Sequence, residues 1–213
     1  MDWIWESRSQ LASLTFAHAW LSAIPVLVGL VLSVPVGWWI SQHRRAGSVV
    51  LGFGSALYTI PSLALFVILP GILGTPILSP VNVLVAMTLY AIALLVRTTA
   101  DAFAALPDLV LDSATATGYS KVGRGLRVEL PLAGPVILAG VRVASFSTVS
   151  LVSVGAILGV SSLGLLFTDG FRRGFTTEIV VGVVGTIALA LVFDAVLVWL
   201  GRLLMPWTVG ARA

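Results

Sequence analysis

The chain has 213 residues, of which 58% are hydrophobic and only 10% charged, and its mean hydropathy is +1.07. A soluble domain of this length carries about 25% charged residues, so 12 basic and 9 acidic side chains are too few to coat a globule in water, and lipid must be the solvent for most of the surface. Although the pI is near 10.0, the basic residues sit between apolar runs rather than in a patch with interleaved aromatics, which excludes a nucleic-acid surface and suits membrane topology.

A helix needs about 20 mainly apolar residues to cross a bilayer. The leading MDWIWESRSQ has two acidic residues and one arginine before the first apolar run. It reads as a poor cleavable signal, so the first span is expected to be retained. Span one is predicted at 17–41, where nothing is charged apart from a neutral His18. Trp20 and Trp38 lie 18 residues apart, about 27 Å along a helix and close to the hydrocarbon thickness, as two aromatic belts would. After His43, Arg44 and Arg45, the run from Ala46 to Val96 carries no charge. It divides into span two at 49–69 and span three at 81–96, with a turn where Pro70, Gly71, Gly74, Pro76 and Pro80 gather. Pro61 is expected to kink span two.

From 97 to 133 the character changes. Asp101, Asp108, Asp112, Lys121, Arg124, Arg127 and Glu129 make this the one substantial hydrophilic segment, with helical spacing at Ala102, Leu106, Leu109 and Val110. Span four follows at 135–160 and span five at 179–205. The intervening SSLGLLFTDGFRRGFTT reads as a short hairpin or surface helix. The whole of 1–213 is then a single membrane domain, all-α, with five transmembrane helices. With the N-terminus outside, the cytoplasm receives eight basic residues (Arg44, Arg45, Arg97, Lys121, Arg124, Arg127, Arg202, Arg212) and the exterior three (Arg8, Arg172, Arg173). The bias predicts an N-out, C-in plasma-membrane protein.

The polar segment has a specific wording, DSATATGYSKVGRGLRVELP from Asp112. The acidic-small-small triplet Asp112-Ser113-Ala114 is followed after three residues by Gly118, and after nine more by Val128-Glu129-Leu130-Pro131. Gly118 permits a sharp left-handed turn between two short helices, and Pro131 is expected to end the second before span four begins. The plain alternative is an ordinary loop between spans. At these spacings the segment resembles the cytoplasmic motif of type I ATP-binding-cassette importer permeases, E-A-A, three residues, G, nine residues, I-x-L-P. Here Asp replaces Glu, Ser replaces the first Ala, and Val replaces Ile. YTIPSLALFVILP, LYAIALLVRTT, VELPLAGPVILAGVRVAS and GRLLMPW extend the likeness, from about Ile24 to Trp207, to the osmoprotectant importer permeases. That family takes up glycine betaine, choline, carnitine and related quaternary amines; some relatives handle other zwitterions.

The resemblance implies the type I importer permease fold. It also implies partners: two ATPase subunits, a second permease, identical or homologous, and an external solute-binding protein. It assigns Asp112, Ser113, Ala114, Gly118, Val128, Leu130 and Pro131 to ATPase coupling. No G-x-x-x-x-G-K-[ST] loop is present, so ATP and Mg2+ are expected on a partner, with no cofactor and no catalytic residue on this chain. There is no cysteine, and His18 and His43 lie at opposite ends of span one, so no metal site is expected.

Inside the spans, an unpaired charge costs at least about 2.5 kcal/mol. Arg142 and Asp194 fall at similar depths and are expected to pair; the alternatives are snorkelling of Arg142 and a watery cavity for Asp194. Tyr58, Pro61 and Ser62 are candidates for the translocation path, because a kink frees backbone carbonyls to face a cavity. Ser147 and Ser150 belong to a hydroxyl cluster with Ser145, Thr148 and Ser153, which fits path lining or close helix packing equally. The tryptophans, near the interfaces, read as membrane anchors rather than a cation cage. Two other function classes remain open here: an ion-coupled secondary transporter or channel, which needs no docking motif and usually shows more intramembrane acids or repeats, and an inert assembly subunit.

Overall fold

In hydrocarbon, each backbone N–H and C=O must find its partner inside the protein, which favours long helices. The computed structural model, which describes residues 2–208, is built almost entirely of helices. Its ten α-helices are α1 (Asp2–Glu6), α2 (Arg8–Gln42), α3 (Arg44–Thr59), α4 (Ser62–Leu73), α5 (Pro80–Ala104), α6 (Asp108–Ala116), α7 (Lys121–Arg124), α8 (Leu130–Val152), α9 (Leu165–Arg173) and α10 (Thr176–Leu204). A π-turn at Gly125–Glu129 joins α7 to α8, a 3-10 turn at Ser153–Leu158 extends α8, and no strand occurs among the described residues. Arg212, counted in the charge bias, lies outside them.

Small residues set the packing. A Cβ on Gly29 would lie 2.8 Å from the Ala91 Cβ, and one on Gly37 would lie 2.1 Å from the Thr99 hydroxyl, so α2 and α5 run parallel with their backbones almost touching. The Thr99 hydroxyl donates to the Ser33 carbonyl at 3.0 Å across this seam. α8 runs antiparallel to both: His18 and Trp38 of α2 reach Val149 and Glu129, while Gly140 abuts Thr98 and Gly155 abuts Val83. α10 is antiparallel to α8, with Met205 against Gly134 and Asp194 on Arg142. One end of the bundle therefore gathers the last turns of α2, α5 and α10 with the polar α6–α7 hairpin. The other holds α1, the α4–α5 loop and α9. Outer residues of α10 such as Val183, Val184, Ile187 and Leu191 are exposed, an apolar surface fit for lipid.

Among the described residues, four helical stretches are long and apolar enough to cross a membrane: α2, α5, α10, and the continuous Lys121–Leu158. Span two differs from its expected form. Rather than one kinked helix over 49–69, α3 and α4 are separate helices bent by 102° at Ile60–Pro61, and make a fifth crossing only if counted as one span. The cause is local. Pro61 has no N–H, and the residue before a proline is pushed from helical to extended geometry; Ile60 has φ −65, ψ 128 and Pro61 has φ −58, ψ 132. α4 then lies across the bundle, with Phe66 buried beside Leu21, Met87 and Val152. Pro131 likewise does not end the second short helix: it sits in the first turn of α8, where a missing N–H costs little, and the wider ring of the π-turn carries the helix past it. α5 also continues beyond Arg97 to Ala104, and α8 starts at Leu130 rather than at 135.

The α2–α5 seam makes a prediction. Gly37→Val pushes a branched side chain into Thr99 and the Ala100 backbone, and overpacking of this kind costs about 1–3 kcal/mol. Gly52→Ala meets nothing within 4 Å and should stay within about 0.5 kcal/mol of the parent. Thermal melts in detergent compare the two, and a normal melt for Gly37→Val refutes the close approach.

Candidate functional site

The polar segment forms a compact helical hairpin. α6 ends in a Schellman arrangement: the Tyr119 N–H reaches the Ala114 carbonyl at 3.2 Å and the Gly118 N–H reaches the Thr115 carbonyl at 3.0 Å. That closure puts Gly118 at φ 91, left-handed ground that a side chain would strain. The Ser120 hydroxyl then accepts from the Gly123 N–H at 3.2 Å and starts α7. Of the motif residues, Asp112 and Ser113 are exposed on α6, Ala114 is buried, and Val128, Leu130 and Pro131 are half-buried where the hairpin enters α8. The hairpin also shows apolar side chains to the outside: Leu109 is 78%, Val122 61% and Leu126 62% exposed.

Under the hairpin lies a buried carboxylate. Glu129, 2% exposed, accepts from the Trp38 indole N–H at 2.8 Å and from Arg124 Nε at 2.7 Å. Arg124 also donates to the Thr115 hydroxyl at 3.0 Å. A cleft of about 480 Å³ adjoins this cluster, lined among others by Ser48, Asp101, Asp108, Arg124 and Glu129. Sequence reasoning placed Trp38 in an aromatic belt and passed over Glu129 as the variable position of the motif. No local signal pairs Arg124 with Glu129, five residues apart. On an α-helix they would point about 140° apart, whereas the i→i+5 π-turn brings them together.

Tyr58 and Ser147 share a small enclosed gap with Tyr90, Leu94, Ala144 and Thr148. Tyr58 and Tyr90 meet edge to face, with ring centroids 5.6 Å apart. The Tyr90 hydroxyl donates to the Ile60 carbonyl, the group freed by the break at Pro61. Pro61 is exposed and Ser62 opens α4 half-buried. Ser150 is exposed and does not line this gap. On the polar side of Tyr58 a groove of about 430 Å³ runs between α3 and α5, past Ser55, Leu94, Arg97, Thr98 and Asp101.

Arg142 and Asp194 form a two-pronged ion pair between α8 and α10, Nε to Oδ1 at 2.5 Å and Nη2 to Oδ2 at 2.9 Å. Such a fork satisfies both groups at once where water is scarce. At the opposite end, Arg173 is held by the buried carboxylate of Glu178 and Arg172 lies 3.8 Å from Asp169, so neither guanidinium stands alone in that hairpin.

His18, fully buried, ties three segments together. A backbone N–H only donates, so the 3.2 Å contact from Leu163 N makes Nδ1 the acceptor; a carbonyl only accepts, so Nε2 carries the proton given to Val149 at 2.9 Å. The ring is therefore the neutral Nε2–H tautomer. Among the described residues, no three His, Cys, Asp or Glu side chains gather as a metal site would require.

The family model described as "Binding-protein-dependent transport system inner membrane component" matches residues 13–209. Osmoprotectant import permease protein OsmW of Salmonella typhimurium (strain LT2) is 34% identical over 205 residues, 94% of this chain and 94% of its own length. Glycine betaine/carnitine/choline transport system permease protein OpuCD of Bacillus subtilis (strain 168) is 30% identical over 192 residues, 90% of this chain and 82% of its own. Among solved structures, a chain of the MetNI methionine ABC transporter in an inward-facing conformation matches with a TM-score of 0.75 at 18% identity, covering 90% of this chain and 96% of the other. At that identity the likeness is one of fold.

The ion pair predicts non-additive loss. Arg142→Gln and Asp194→Asn each lower the melting point, and together they lower it by less than the sum of the two. Strict additivity would show that the fork contributes no coupling. Tyr90→Phe, which removes only the hydroxyl on the Ile60 carbonyl, should speed hydrogen exchange around residues 60–65 and leave the α2–α5 seam unchanged.

Proposed function

The chain belongs to the family of binding-protein-dependent transport system inner membrane components, and from that premise we propose that it is the permease subunit of an ATP-driven importer of small quaternary-ammonium osmoprotectants. The relatives OsmW and OpuCD are named for import of osmoprotectants, glycine betaine, carnitine and choline. Those three named solutes share a trimethylammonium head, and the shared chemistry defines the proposed cargo class. Another small zwitterion is the second reading, and competition between solutes separates the two.

The observation that carries the reading is the hairpin. Two short helices stand at one end of an otherwise apolar bundle, with Leu109, Val122 and Leu126 turned outward. Large exposed apolar side chains on a charged segment favour a protein partner. The chain has no phosphate-binding loop of its own, so the proposed partner is the ATPase, two copies per complex, with ATP and Mg2+ held there. The lysine and arginine bias supports a cytoplasmic hairpin and an external N-terminus. A second permease, identical or sister, would complete the pore, and an external binding protein would deliver the solute to the end bearing α9.

In this scheme ATP binding closes the ATPases and draws the α6–α7 hairpins with them. The bundle moves to its outward-open packing, accepts the solute, and resets on hydrolysis. This chain performs no chemistry; it shifts a population between two packings. Tyr58, Pro61, Ser62 and Ser147, around the break between α3 and α4, would border the path. Ser150 has weaker claim, since it does not reach the gap that Tyr58 and Ser147 share.

Proteoliposomes containing the chain, its ATPase, its sister permease and its binding protein test the reading with labelled choline and glycine betaine. Uptake should require ATP. Val122→Asp with Leu126→Asp, which places charge on the docking face, should weaken ATPase association at least about 30-fold, the effect of losing one strong interface anchor. Uptake driven by an ion gradient without ATP, or unaltered ATPase association in the double variant, overturns it.

A further inference from the structure

We infer that Glu129 is a positioning residue that locks the docking hairpin to α2, so that displacement of α6 and α7 becomes displacement of the bundle. This rests on the reading that the hairpin meets an ATPase.

Very little apolar packing holds the hairpin. Ala114 is the one buried residue of α6, and α7 has none. Its attachment to the bundle is instead a chain of polar contacts. The Thr115 hydroxyl of α6 accepts from Arg124 of α7, Arg124 donates to Glu129 at the end of the π-turn, and Glu129 accepts from Trp38 near the end of α2. One carboxylate thus connects four elements.

A carboxylate in that position is costly unless it is paired and hydrogen-bonded. An apolar residue would serve if the position had only to begin α8. The geometry around it is also interdependent. Arg124 and Glu129 meet because the π-turn places residues five apart on one side of the helix. The Trp38 ring lies close over Gly125, where a Cβ would fall 2.9 Å from the indole carbons. The π-turn, the glycine and the ion pair therefore specify a single seat for Trp38. A push on the hairpin is delivered to α8 through the continuous backbone and to α2 through this seat. Since α2 lies against α5 along the Gly29–Gly37 seam, the push reaches both helices at once.

The test uses the complete reconstituted complex and reads solute taken up per ATP hydrolysed. Two near-isosteric variants are compared. Glu129→Gln keeps an acceptor for the indole but loses the ion pair with Arg124. Trp38→Phe loses the N–H and keeps a ring over Gly125. Uptake per ATP should fall on the order of tenfold for Glu129→Gln and about threefold for Trp38→Phe, within the range by which single mutations modulate coupling. The double variant should be no worse than about tenfold, because both changes break one connection. In parallel, Leu126→Cys is cross-linked to the ATPase in each background. The expected result is an undiminished cross-link with a lowered ratio.

A normal ratio in Glu129→Gln and Trp38→Phe with the cross-link present overturns the inference alone, as does multiplication of the two effects. A cross-link lost together with the ratio assigns Glu129 to shaping the docking surface and also overturns it. No cross-link from Leu126→Cys in the otherwise unaltered chain overturns the docking reading itself. Should Glu129→Gln fail to assemble, Trp38→Phe decides.

Discussion

Backbone groups inside a bilayer have no water to turn to, and the architecture is arranged around that constraint. At three interruptions a side chain takes up backbone groups that are released. Tyr90 covers the Ile60 carbonyl at the Pro61 break. Asn82 donates to the carbonyls of Pro76 and Ile77 in the loop before α5. His18 serves Val149 and Leu163 near the 3-10 turn that follows α8. Irregular backbone at these three places thus has a specific polar partner, and the first of them adjoins the proposed path.

Such an arrangement separates two kinds of stability. The α2–α5–α8 core is held by small residues that let backbones approach, through dispersion rather than the hydrophobic effect, which is weak between helices in lipid. The periphery is held by polar points: the Arg142–Asp194 fork, the Arg173–Glu178 pair, and the Glu129 cluster. Polar points are directional, so they fix register and angle where packing alone would permit sliding.

Much of this was legible in the sequence because lipid imposes simple rules. Runs without charge announce helices, and the cost of an intramembrane charge led from Arg142 to Asp194. The location of the Pro61 break was also readable, since proline and its predecessor act locally. Its 102° angle was not, because that depends on where Phe66 of α4 finds its buried seat. Pro131 misled for a related reason: a proline signals a helix end unless the preceding turn widens, and nothing local distinguishes a π-turn. Glu129 was opaque because its partner Trp38 lies 91 residues away, and tryptophan near an interface already has an ordinary explanation. Gly118 was transparent, because a left-handed turn is a property of the residue itself.

The two side-chain hydrogen bonds that tie α2 to α8 and its leading π-turn have a mechanical corollary. His18–Val149 and Trp38–Glu129 sit 20 positions apart on α2, about 30 Å at helical rise, near opposite faces of the membrane. Two rods riveted at both tips cannot scissor; they behave as a girder. The joint between Thr59 and Ser62 has no such bracing: the backbone is extended there and a single phenolic bond crosses the gap. One pair of helices is thus braced at both ends, while the pair α3 and α4 is joined at a single corner.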